Sequence, residues 1–172
     1  FSFTDDAITV AFPTVLSSSS DPESPISKLP ALDASLLIFQ LRKAQSTWYQ
    51  ELFQSSRDPL HHSSQYLWQM CYEMRTWSEN LPKHLPPATR ELFDLELLYS
   101  YVYCLAPSCR FPSVSELGKT LIFEYCMSYI QKLLPIAKDP INTAFYTYHD
   151  ALRVYFIGSR SEERRVGKEC PR

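Results

Sequence analysis

An all-α fold of about five helices is what this sequence predicts, and two observations predict it. Apolar side chains return every three or four residues through five separate stretches, the spacing of one face of an α-helix. Thirteen prolines against three glycines fall largely between those stretches. Proline stops helices, and scarce glycine leaves few of the positive-φ turns that hairpins need. A chain of 172 residues with 45% apolar content is large enough for a single core.

Residues 1–13 alternate Ile8, Val10 and Phe12, which suits an extended segment with one buried side. Residues 14–31 hold four consecutive serines and three prolines, a surface loop with little to bury. The helical part is expected over 32–159. Its first helix runs from Asp33, a good N-cap, to about Gln54, with Leu37, Leu41, Ala44, Trp48 and Leu52 on one stripe and Ile38, Gln45 and Phe53 widening it. The second covers roughly Ser64 to Ser78 on Leu67, Met70, Met74 and Trp77. Leu81-Pro82 and Pro86-Pro87 then enforce an extended link.

The third helix, about Pro87 to Leu105, is apolar nearly all round, with Leu92, Leu95, Leu98, Tyr99, Val102 and Leu105 as its inner face. Such a helix is central and covered on both sides. The fourth starts after Ser115 as N-cap and stops near Leu134, before Pro135; its stripe is Leu117, Leu121, Tyr125, Ser128 and Tyr129. The fifth is expected from Asn142 to about Ile157, on Phe145, His149, Leu152, Tyr155 and Phe156.

No catalytic, cofactor-binding or metal-ligating residue emerges from the spacing. Three glycines, Gly118, Gly158 and Gly167, exclude a phosphate-binding loop or a dinucleotide fingerprint. His61 and His62 are adjacent, so on a helix they diverge by about 100° and suit one metal ion poorly. His84 belongs to an exposed proline-rich link; His149 reads as a hydrogen-bonded core histidine rather than a ligand or general base. Asp5-Asp6 and Asp94/Glu96 are the closest carboxylate pairs, and the latter point to different helix faces. At most two of Tyr99, Tyr101 and Tyr103 can share a face, as core or as pocket lining. Cys71, Cys104, Cys109 and Cys126 lack C-x-x-C spacing and read as reduced thiols of an intracellular protein. No run approaches the ~20 apolar residues of a membrane span, and no signal peptide is visible.

From Arg160 the composition changes: R-S-E-E-R-R-V-G-K-E-C, then Pro171 and Arg172. The string resembles the translation of a common short-read sequencing adapter, so 160–172 is set apart from fold reasoning. Without it the chain holds 12 basic and 16 acidic residues, a net charge of −4 rather than −2. Nucleic-acid binding needs a concentrated basic surface, which this balance does not supply.

Four segments carry a family likeness. Thr4 to Pro13 contains an acidic pair followed by I-x-V-x-x-P; Leu41-Arg42-Lys43-Ala44-Gln45 is an L-R-x-x-Q start; Trp77 to Pro82 is W-x-x-x-L-P, and Leu95 to Pro107 resembles L-x-L-x-Y-x-x-x-x-x-L-x-x-P with one residue fewer before the proline. In this order they resemble the fungal-specific regulatory domain, or middle homology region, of binuclear zinc-cluster transcription factors. The likeness covers Phe1 to about Gly158, with Ala106 standing where the family often has a basic residue.

The resemblance implies the C-terminal half of a larger helical regulatory domain, acting in the nucleus on transcription by RNA polymerase II. Zinc and DNA binding are then expected only in a cluster domain absent from this chain, which itself needs no cofactor. A small-molecule effector or a co-regulator protein would be its partner, with a homodimer in the full protein and no membrane. The competing readings are an all-α ligand-binding protein or enzyme with an aromatic-lined pocket, and a pure interaction scaffold. A half domain is also expected to leave part of the third helix's apolar surface exposed and to associate.

Overall fold

Among the described residues the chain forms five helices: α1 (Pro30–Phe53), α2 (Ser63–Glu79), α3 (Pro87–Leu105), α4 (Glu116–Lys138) and α5 (Tyr148–Glu169). The computed structural model describes residues 30–53, 63–108, 110–139 and 147–169, and no strand occurs among them. The expected extended segment 1–13, the loop up to residue 29, His61, His62 and Phe145 lie outside the described residues. The fold is all-α.

α3 is the axis. It touches all four other helices, most extensively α4. On one side Leu97 and Cys104 meet Leu41, Trp48 and Leu52 of α1 and Leu67, Met70 and Met74 of α2. On the other, Leu95, Val102 and Leu105 meet Ile122, Cys126 and Tyr129 of α4 and Ile157 of α5. The expectation that the third helix is covered on both sides therefore holds. The expected exposure of its apolar surface is reduced to Leu92, which is 52% exposed.

The boundaries differ from expectation in four places, each for a local reason. α1 opens at Pro30 rather than after Asp33, because proline is at ease in a first turn where no intrahelical partner awaits its missing N–H. The α2–α3 link is not extended: Leu85 N–H donates to Pro82 O at 3.3 Å, and the bend sinks both Leu81 and Leu85 against Phe93. α4 runs through Pro135 to Lys138. Pro135 and Gln131, whose carbonyl loses its donor, are both exposed, so water serves the orphan. α5 begins at Tyr148, not Asn142. Thr147 N–H and Oγ1 both donate to Asp150 Oδ2, at 2.8 and 2.6 Å, the half of a capping box in which the third helical residue reaches back to the N-cap and fixes the start. The helix continues through Arg160 to Glu169, where seven Arg, Glu and Lys residues favour it and Gly167 does not.

Two stripes are rotated by one residue. α4 buries Gly118, Ile122, Cys126 and Tyr129, leaving Leu117 exposed. α5 turns Arg153, Phe156 and Ile157 inward, leaving His149, Leu152 and Tyr155 outside. His149 is thus a surface residue beside Tyr148, not a core histidine. His84 is exposed, as the link composition suggested.

Candidate functional site

Glu96 lies in the middle of the most apolar helix, only 4% exposed. Arg42 of α1 forks onto it, Nη1 to Oε2 at 2.8 Å and Nη2 to Oε1 at 2.9 Å. Arg153 of α5 reaches Oε1 from the other side at 2.5 Å. Gln45, one turn after Arg42, donates to Ser100 Oγ at 2.7 Å and more weakly to Oε2 at 3.5 Å. Ser100 in turn donates to the Glu96 carbonyl at 2.7 Å, four residues back on α3. Three helices thus converge on one carboxylate.

Buried charge survives in a protein only when paired and hydrogen-bonded. Here each carboxylate oxygen receives two donors. No lone pair stands open toward a reacting proton, so Glu96 acts as a clamp rather than a base. Asp94, two residues earlier, points elsewhere and binds Lys132 of α4 at 2.8 Å. The carboxylates diverge as helix geometry requires, as expected for them.

A row of rings runs beside the clamp. Tyr103 stacks on Phe53 at 4.8 Å and on Tyr99 at 6.3 Å; Tyr99 meets the edge of Phe156 at 5.9 Å and lies beneath the Arg153 guanidinium at 4.9 Å. Tyr99 and Tyr103 share this side of α3. Tyr101 turns away and stacks on Tyr125 at 4.8 Å. These tyrosines pack on one another instead of lining a cavity. Desolvation by burial pushes the phenols of Tyr66, Tyr101 and Tyr129 up to about 12, and that of Tyr103 higher still. Burial likewise raises the Cys71 thiol to about 11 and the Cys104 thiol well above its ordinary value. Thiols so shifted are core groups, not nucleophiles.

A cleft of about 270 Å³ opens elsewhere, where the start of α2, the end of α3 and the start of α4 meet; Leu67, Trp68, Leu105 and Phe111 form much of its wall. Among the described residues no cluster of His, Cys, Asp or Glu could hold a metal ion, and no helix is long and apolar enough to cross a membrane.

Sequence reading set Glu96 aside as half of an unworkable carboxylate pair and did not single out Arg153. One signal was available: a carboxylate between Leu95 and Leu97 on a helix apolar all round must be buried, and so must have partners. Arg42, Gln45, Glu96 and Ser100 do belong to the segments that carried the family likeness, and the fold brings them together. Comparison of the chain with protein-family models, with curated proteins and with solved structures finds no match.

Proposed function

We propose that this chain is part of the regulatory domain of a fungal zinc-cluster transcription factor, acting in the nucleus, neither an enzyme nor a DNA reader by itself. One observation carries the reading beyond the order of motifs. The L-R-x-x-Q segment and the L-x-L-x-Y segment, about fifty residues apart, engage through Arg42–Glu96 at 2.8 Å and Gln45–Ser100 at 2.7 Å. Trp77 and Leu81 of W-x-x-x-L-P likewise pack on Phe93 of that helix, Trp77 edge-on at 5.4 Å. Arg42 and Gln45 are positions of the first motif, while Glu96 and Ser100 lie between the motif positions of the second; it is the segments that engage one another, which supports a shared scaffold.

In this reading Glu96 ties α1 and α5 to the axial helix, and a co-regulator or effector works by favouring one seating of those helices over another. The DNA-binding zinc cluster belongs to another part of the full protein. The test is a reporter assay in cells carrying the full-length protein with Glu96→Ala, normalised for abundance and promoter occupancy. Output should change several-fold at unchanged occupancy. Unchanged output, or a full reading frame without a six-cysteine cluster, overturns the proposal.

A further inference from the structure

We infer that the cleft between the ends of α2, α3 and α4 binds a neutral aromatic molecule of one or two fused rings. The size sets the first limit. About 270 Å³ exceeds the ~150 Å³ that admits benzene and falls just short of the range for drug-sized ligands. A bicyclic ring system lies in that interval.

Wall chemistry sets the second limit. Leu67 and Leu105, both almost fully buried, supply an apolar floor, while Trp68 and Phe111 offer flat faces to a ring. Among the described residues no charged side chain lines the cleft. An ionised ligand would lose hydration there without gaining a counter-ion. Polar recognition rests on the hydroxyls of Ser64, Ser113 and Ser115 at the rim, enough for one ring N–H, hydroxyl or carbonyl.

The walls are also held in place before any ligand arrives. Phe111 N–H donates to both Ser108 O and Ser108 Oγ, at 3.2 and 3.1 Å, and Ser108 N–H returns a bond to Phe111 O at 2.9 Å. Ser115 Oγ caps α4 by accepting from Gly118 N–H at 3.1 Å. A Cβ on Gly118 would stand 2.7 Å from Val114 Cγ1, so glycine is what allows Val114 to lie flat against α4 as a wall. Preorganisation of this kind lowers the ordering cost of binding. Binding here stands on the cleft alone and does not depend on the transcriptional reading.

The test titrates the full chain with indole, followed by amide NMR, with indole-3-carboxylate as the charged counterpart. Saturable shifts should appear at Gly118, Phe111 and the Trp68 indole N–H, with Kd on the order of 0.1–1 mM for so small a ligand. Ser113→Trp, which fills the cleft from its exposed rim, should weaken binding at least about tenfold, and Gly118→Ala should do the same by displacing Val114. Absence of saturable shifts at those residues overturns the proposal, as does full binding by both variants. Binding of the carboxylate as tight as that of indole refutes the neutral class.

Discussion

α1 and α5 flank the same polar seam of α3, yet they are fastened to it by different means. α1 drives Leu41, Trp48 and Leu52 into the core, each nearly free of solvent. Of the side chains described on α5, only Ile157 is fully buried; Phe156 is partly so, and Tyr155 stands 76% exposed. What α5 lacks in apolar burial it supplements with Arg153, whose 2.5 Å contact with Glu96 spans the seam. Apolar burial is indifferent to small displacements, whereas a hydrogen-bonded ion pair fixes direction. α1 therefore adds the Arg42 fork to a seat already set by area, whereas α5 leans more heavily on its single ion pair.

That contrast can be broken most forcefully on the α1 side. Trp48→Ala should cost about 3–5 kcal/mol in urea unfolding, the usual range for removing a large buried aromatic. Glu96→Ala should follow at about 2–4 kcal/mol, because it leaves two guanidiniums facing an empty buried site. Within the clamp the arginines are unequal. Arg153 is 21% exposed and Arg42 44%, so Arg153→Ala should cost about 1–3 kcal/mol and Arg42→Ala about 1 kcal/mol or less. Hydrogen exchange sharpens the comparison further: Arg153→Ala should release the amides of α5 while leaving those of α1 protected. Equal release of both helices would show that they are seated as one unit.

The alkaline limb gives a subtler readout. Tyr66, Tyr101 and Tyr129 ionise near 12 in the fold and near 10 in the unfolded chain. Between those values the native state holds more protons than the unfolded one, so stability is full below about pH 10 and falls as pH rises toward 12. The urea midpoint should decline over that window, with phenolate absorbance lagging until the protein unfolds. The smallest effect concerns the thiols. Cys71 and Cys104 should react with a disulfide reagent at pH 8 far more slowly in the native protein than in urea, where burial no longer suppresses the thiolate.

The axial role of α3 and the stripes of α1 and α2 were legible because apolar spacing there has one solution. Leu41, Trp48, Leu52, Leu67, Met70 and Met74 all fall where period 3.6 puts them. In α5 the expected stripe ran through His149, Leu152, Tyr155 and Phe156, whereas the inward face carries Arg153, Phe156 and Ile157. Counting apolar residues could not choose, because the deciding residue is Arg153, a side chain that such counting assigns to solvent. Leu92 misled in the same way: it shares the Tyr99 and Tyr103 side of α3, at a level where none of the described helices covers it. The clamp itself was hidden by a correct local argument. Asp94 and Glu96 do face apart, but what mattered was the arginines that two other helices, α1 and α5, could bring. Such pairings join residues over fifty positions apart, and local periodicity carries no information at that range.

The uninterrupted run of α5 past Ser159 has a mechanical consequence. Ten residues, Arg160 to Glu169, continue the helix in phase. At 1.5 Å per residue they form an arm of about 15 Å whose heading is inherited from the Arg153 and Ile157 seat. Anything fused beyond that arm would be aimed, not merely tethered. One alanine inserted after Ser159 would swing such a cargo through about 100° and carry the Arg160 guanidinium off the Phe156 ring it now covers.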